Sequence, residues 1–188
     1  MQTTILDYGA IGDGRTLNTQ SIQKAIDDCA GIGGGRVVIP TGVFVSGTIW
    51  LKSHVELHLE QGAVLKASAD YRDYNALDAY PQNSSDPESE GWVGRHLIIA
   101  VEQTDIAVTG HGVIDGSGDQ FFEPWQKNPW GWNYCWAYGY SRETDKVNRR
   151  LGQVMCLIEC EHIRVTDITF RNATCWCCFL HGCDYATI

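Results

Sequence analysis

The sequence predicts an all-β solenoid, a ribbon of strands wound into stacked coils, and three observations carry that prediction. The first is tandem repetition: IAVTGHGVIDGSG from Ile106 to Gly118 is echoed by IRVTDITFRNAT from Ile163. In each copy an apolar residue alternates with a polar one (Ile106 and Val108; Ile163 and Val165), the step of two that belongs to strands with one buried face. The second is a further copy roughly 23 residues on, in which Cys183, Asp184, Ala186 and Ile188 take the places of Cys160, Glu161, Ile163 and Val165. The third is an earlier, looser copy at His54 to Ser68, where Val55 and Leu57 alternate with Glu56 and His58 before Gly62 turns the chain. A coil of this length cannot close a core alone. Each must bury its inward side chains against the coils above and below, and the first coil needs a cap.

The cap is legible in LNTQSIQKAIDDCAGIGGG. Ile22, Ala25, Ile26 and Cys29 share one face at helical spacing, which predicts a helix over about residues 19–30. Asn18 or Thr19 is the expected N-cap oxygen, and Gly31 the expected left-handed stop. The run Gly31 to Gly35 is not read as a phosphate loop, because such loops follow a strand and open a helix, and here the order is reversed. These glycines are instead a helix exit and a tight turn before a strand at Val37 to Ile39. Two long insertions follow, at about residues 68–95 and 118–153, within one domain that spans residues 1–188. The last strand runs to Ile188 without a capping helix, a proline or a polar tail. The expectation is a solenoid truncated at its C-terminal end, either the first portion of a longer protein or one whose open coil is covered by a partner chain or by self-association.

Hydrophobic residues make up 44% of the 188 residues and charged ones 20%, ordinary for a globular domain, and no apolar run is long enough to span a membrane. The net charge of −9 argues against nucleic acid as a partner. MQTTILDYGAIGDG lacks the basic and apolar regions of a secretion signal, which points to a cytoplasmic location; a secreted or periplasmic one stays open if a leader was removed. The cysteines at 29, 135, 156, 160, 175, 177, 178 and 183 then read as thiols. They lack the paired spacing of a zinc site, and small side chains stacked along the solenoid interior account for them more simply. No metal and no cofactor is expected.

Taken together, DYGAIGDGRTLNT, the capping helix with GIGGGRVVIPTGVFVSGTIWLKSHVELHLEQGAVLKAS, then IAVTGHGVIDGSG and RNATCWCCFLHGCDYATI resemble the N-terminal half of glycoside hydrolase family 28, the polygalacturonases. The resemblance runs from Leu6 to Ile188, and the joint order of the segments is specific although each alone is weak. It implies a right-handed, single-stranded parallel β-helix and, for the intact family member, hydrolysis of α-linked galacturonate polymers or oligomers with inversion at the anomeric carbon. It also implies that the catalytic residues, aspartates in N-x-D and D-D segments followed by a G-H-G histidine and an R-x-K pair, lie beyond Ile188. None maps onto this sequence. Gly110-His111-Gly112 spells G-H-G but sits in the VTG-x-GVIDG turn, where the family has a variable residue between the glycines. Asp27-Asp28 spells D-D but falls on the solvated side of the capping helix.

Without the family, an inverting glycosidase would still need an acid and a base separated by about 6.5 to 9.5 Å. The candidates are Asp115, Asp119, Glu123, Asp167 and Asp184. Asp115, before Gly116 at a strand end, is better suited to bonding its own backbone amides, and Asp167 and Asp184 lie at coil corners. The expected contribution of this chain is scaffold and cleft wall, and the pure chain is expected to be inactive.

Binding is more visible. Insertions of this length without periodicity are usually functional or disordered, and the second holds Trp125, Trp130, Trp132, Tyr134, Trp136, Tyr138 and Tyr140. Trp130, Trp132 and Trp136 offer flat faces to sugar C–H groups, and Arg142, Arg149 and Arg150, with Lys146, offer cations to uronate carboxylates. The same rings can instead pack on one another and cover the solenoid flank. The first insertion, ending with Trp92 and Arg95, is expected to wall one end of the cleft. The predicted partner is a uronate-containing polysaccharide or oligosaccharide. Two rivals stand beside this reading. A non-catalytic β-solenoid, a carbohydrate-binding or adhesion module, would share the scaffold. A calcium-dependent lyase would need a carboxylate cluster that the sequence does not show.

Overall fold

A computed structural model describes residues 1–80, 92–121 and 150–188. Strands stack in chain order into three parallel sheets, the architecture of a right-handed parallel β-helix. The first sheet holds β1 (Gln2–Thr4), β3 (Gly35–Ile39), β6 (Val55–Leu59), β10 (Ala107–Thr109), β14 (Glu161–Thr166) and β17 (Asp184–Thr187). The second holds β2 (Asp13–Leu17), β4 (Gly42–Ser46), β7 (Ala63–Ala67), β11 (Val113–Asp115) and β15 (Thr169–Arg171). The third begins one coil later, with β5 (Ile49–Trp50), β9 (Ile98–Val101), β13 (Met155–Ile158) and β16 (Cys178–His181).

The repeats read from the sequence fall in register. Leu57, Val108 and Val165 are stacked partners, as are Glu161 with Asp184 and Ile163 with Ala186. Their inward rows make the core: Val37, Leu57, Val108 and Val165 line one wall, and Phe44, Leu65 and Ile114 another, all buried. Coil length varies widely. Arg36 and Glu56, stacked neighbours, are 20 residues apart, while the stacked pairs His58–Thr109 and Asp115–Arg171 are 51 and 56 apart. The extra residues leave as insertions between the second and third sheets, so the core cross-section is unchanged. Where the insertions return, β8 (Trp92–Val93) pairs in parallel with β12 (Arg150–Leu151), a small fourth sheet inside stretches the sequence presents as loop.

Sharp corners need left-handed residues, and they recur at matched positions. His54 and Asp105 have φ of 63° and 53° just before β6 and β10, and His162 and Tyr185 have φ of 55° and 54° at the second residue of β14 and β17. Gly110 (φ 104°) holds a place where a Cβ would run into the Leu59 carbonyl, and His111 beside it is exposed, so the G-H-G triplet is a tight turn.

The helix α1 (Thr19–Gly31) covers the first coil and packs where a third-sheet strand would lie, with Ile22, Ala25, Ile26 and Cys29 buried and Asp27 and Asp28 exposed. Its two ends differ from expectation. Asn18 occupies the N-cap position, but its side chain makes no cap bond; it is buried and grips the Ile11 amide at 2.7 Å and the Thr16 carbonyl at 2.6 Å. The Thr19 hydroxyl accepts the Gly47 amide at 2.7 Å. Both side chains tie the helix to neighbouring loops, and this tertiary demand displaces capping. Gly31 lies in the last helical turn; the left-handed exit is at Gly33 (φ 95°) and Gly34 (φ 102°), whose amides return to Ala30 and Cys29.

The cysteines also split. Cys29 and Cys160 are interior, as expected. Cys156 is buried on the outer face of its strand, between inward Met155 and Leu157, and Cys177 is exposed. Cys156 and Cys160 have like parity in sequence, but the left-handed corner at Glu159 (φ 49°) intervenes and resets which face each residue meets.

Candidate functional site

Both insertions rejoin the coil just before strands of the third sheet, and its outer face is a floor that the described part of the first insertion meets. Alternation sets which side chains reach that floor. Ile98, Ala100, Met155 and Leu157 turn into the core, which leaves Ile99, Cys156 and Phe179 as one outward row and Val101, Ile158 and His181 as the next. On the last of these strands and just before it, three rings follow one another at shallow tilts. Trp176 and Phe179 have centroids 6.2 Å apart at 22°, and Phe179 and His181 are 6.3 Å apart at 23°. Tyr80, from the first insertion, lies against His181 at 4.1 Å. Trp176 is 60% exposed, a large flat apolar surface open to solvent.

The first insertion is held over this floor by a dense set of bonds. Buried Tyr74 donates its hydroxyl to the Ser68 carbonyl at 2.6 Å, and burial pushes that phenol above its ordinary range. Asn75 accepts the His96 amide at 3.0 Å and donates to the carbonyls of Leu77 and Gly94, while the Thr48 hydroxyl donates to the His96 carbonyl at 2.6 Å. Glycine is required at two contacts: a Cβ at Gly47 would strike the Asp73 carbonyl, and one at Gly94 the Asp78 carboxylate. Arg95 donates to the Tyr71 carbonyl at 2.8 Å and lies over that ring, so it serves as a strut of the wall.

Beneath the wall is a buried polar group. His96, 1% exposed, donates Nδ1–H to the Gln153 carbonyl at 2.8 Å and presents Nε2 to Asp78 at 3.9 Å. Gln153 is equally buried, and among the described residues its side-chain oxygen has no hydrogen-bond partner. Burial, with Asp78 adding to it, pushes the Cys156 thiol up to about 12, and burial pushes Cys178 up to about 11. These are packing thiols, since only a thiolate is a good nucleophile.

The carboxylates proposed from the sequence do not meet on this floor. Asp115, on the second sheet, accepts the Ser117 amide at 2.9 Å, as expected of Asp before Gly, and also Arg171 Nε at 2.8 Å from the next coil. Asp119 is exposed beyond that strand, Asp167 is an exposed left-handed corner (φ 62°) between the first and second sheets, and Asp184 opens a strand of the first. Glu123 lies outside the described residues. So do Trp125, Trp130, Trp132, Tyr134, Trp136, Tyr138, Tyr140, Arg142, Lys146 and Arg149, and Arg150 is described only as the backbone that opens β12. Among the described residues no three His, Cys, Asp or Glu side chains form a metal-binding group. Sequence reasoning passed over Tyr80, Trp176, Phe179 and His181. The signal was the alternation Phe179-Leu180-His181, with an aromatic three residues before it.

The model of the rhamnogalacturonase A/epimerase, pectate lyase-like family matches residues 2–123. The chain belongs to that family. An exo-poly-alpha-D-galacturonosidase from Dickeya chrysanthemi is 41% identical over 117 residues, which are 61% of this chain and 19% of the relative. A protein of Vitis vinifera named a probable polygalacturonase is 27% identical over 177 residues, 92% of this chain and 33% of its own. In three dimensions, a hyperthermoactive exopolygalacturonase from Thermotoga maritima superposes with a TM-score of 0.72 at 27% identity, covering 99% of this chain and 45% of that one. The chain therefore spans one fifth to one third of the length of these curated relatives. The polygalacturonase resemblance drawn from the sequence and the parallel β-helix it implied both hold.

Proposed function

We propose that the chain is one portion of a single β-helix domain in a glycoside hydrolase of the polygalacturonase type. The whole enzyme would hydrolyse α-linked galacturonate polymers or oligomers with inversion, and this portion supplies scaffold and cleft wall. The observation that carries the reading is the ring row Trp176, Phe179 and His181 on the outer face of the third sheet, walled by the first insertion through Tyr80. Flat rings suit the C–H faces of sugars, and an imidazole among them can hydrogen-bond to a carboxylate and pair with it when protonated. The names of the relatives agree with that chemistry. Of the carboxylates considered from the sequence, Asp115, Asp119, Asp167 and Asp184 lie at corners or on or beyond the first and second sheets, which supports scaffold and wall as this portion's share.

The test is calorimetric titration of the 188-residue chain with a galacturonate trimer, beside a reducing-sugar assay. Binding is expected, weakened about fivefold by Trp176→Ala, the equivalent of about 1 kcal/mol, with no hydrolysis by the pure chain. Equal binding of a neutral galactose trimer would sink the substrate class, and turnover by this chain would overturn its role as scaffold and wall.

A further inference from the structure

A second concavity lies on a different sheet from the ring row. On the outer face of the first sheet, Arg36, Glu56, Ala107 and Arg164 are stacked neighbours in consecutive coils. Ala107 leaves a notch in that row, and the cavity there measures about 450 Å³, within the range of small-ligand sites. Its rim carries His54, Asp105 and His162.

The two guanidiniums in the notch converge on one carboxylate. Glu56 is engaged on several sides: it accepts Arg36 through Nε at 2.8 Å and Nη2 at 3.3 Å and the Thr109 hydroxyl at 2.5 Å, it pairs with Arg164 Nη2 at 3.4 Å, and His58 Nδ1 lies 3.8 Å away. One carboxylate thus faces two guanidiniums that are 42% and 51% exposed, each with N–H groups to spare of the five it carries. Asp105 is engaged by His54 at 3.1 Å. His162 is stacked on Tyr185 at 4.8 Å and 9°, which covers one of its faces, and it borders the cavity. A ladder that served only to pair strands would place a partner opposite Arg164; here it has a methyl group, and Arg164 must reach past it to Glu56. The result is a pair of guanidiniums with unspent N–H groups beside an open notch, on a chain whose net charge is −9.

We propose that this notch is a binding site for a small oxyanion, held in the fork of Arg36 and Arg164 above Ala107 with His162 at its edge. Carboxylates and inorganic oxyanions share the required chemistry. The proposal is independent of the function assigned to the ring row.

The test is amide and imidazole chemical-shift titration of the chain with sodium sulfate, with galacturonate and with galactose. Shifts at Ala107, His162 and Arg164 are expected with sulfate or galacturonate and not with galactose. Sulfate alone would mark the site as one for inorganic oxyanions, and both would extend it to sugar acids. Ala107→Leu, which fills the notch and keeps every charge, should weaken binding at least about tenfold, as should Arg164→Gln, while Trp176→Ala leaves it unchanged. Silence with both anions, equal response to galactose, or undiminished binding in a folded Ala107→Leu chain would overturn the proposal.

Discussion

At the residue scale the most consequential side chain is Glu56, because Arg36, Thr109 and Arg164 from other strands and His58 from its own converge on it. Burial by itself would raise its carboxyl, but the Thr109 hydroxyl and Arg36, with Arg164 behind them, hold it below its ordinary value of 4.5. A depressed carboxyl stabilises the fold above its unfolded pKa, and that contribution is lost as pH falls through the folded value. Glu56→Gln keeps the shape and removes the charge. It should cost about 1 to 3 kcal/mol at neutral pH, and the difference from the parent should shrink below about pH 4.5 and vanish in stronger acid. Urea midpoints of both chains at several pH values measure this; a gap that persisted or widened in acid would contradict it. Such a residue is hard to read from sequence. Glu56 stood out only as a polar residue alternating with Val55 and Leu57, and its partners Arg36, Thr109 and Arg164 become neighbours only when the coils are stacked in register.

At the scale of the element, the capping helix shows which parts of a sequence speak locally. Its buried face was legible, since Ile22, Ala25, Ile26 and Cys29 follow a 3.6-residue period that no strand can use. Its ends were not, because Asn18 and Thr19 bond to Ile11 and Gly47 rather than to helix amides, and those partners are fixed by tertiary structure. The same division holds for the site. The strands beneath the ring row were not placed from the sequence, although Phe179-Leu180-His181 alternates, and Tyr80 meets His181 only because the first insertion folds back over the sheet, on glycines whose need is visible only against Asp73 and Asp78. The helix reading makes a paired prediction. Ile26→Ala, at a fully buried position, should lower unfolding free energy by about 2 to 5 kcal/mol. Asp27→Asn, on the exposed face one residue away, should change it by less than about 0.5 kcal/mol. Chemical denaturation of the two variants separates them; comparable losses would mean that the helix does not cap the coil with this face.

For the molecule as a whole, stacking in a column makes stability a sum of coil terms and interfaces between neighbours, so damage should be felt locally before it is felt everywhere. Tandem periodicity made this architecture readable from the sequence despite coil steps that range from 20 to 57 residues, because insertions leave the inward rows untouched. Val108 is the place to test it, one residue of the row Leu57, Val108 and Val165. Val108→Ala opens a gap that both flanking coils share, at a cost of about 2 kcal/mol. Hydrogen exchange should therefore quicken first in Val55–Leu59 and Glu161–Thr166, the strands directly below and above. Gln2–Thr4, two strands further down and supported by the capping helix, should keep its protection under conditions where those two have lost theirs. A uniform rise across all three would mean that the column unfolds as one cooperative block, in which case a contact made on any coil is guarded by the stability of the whole and not by that of its neighbours.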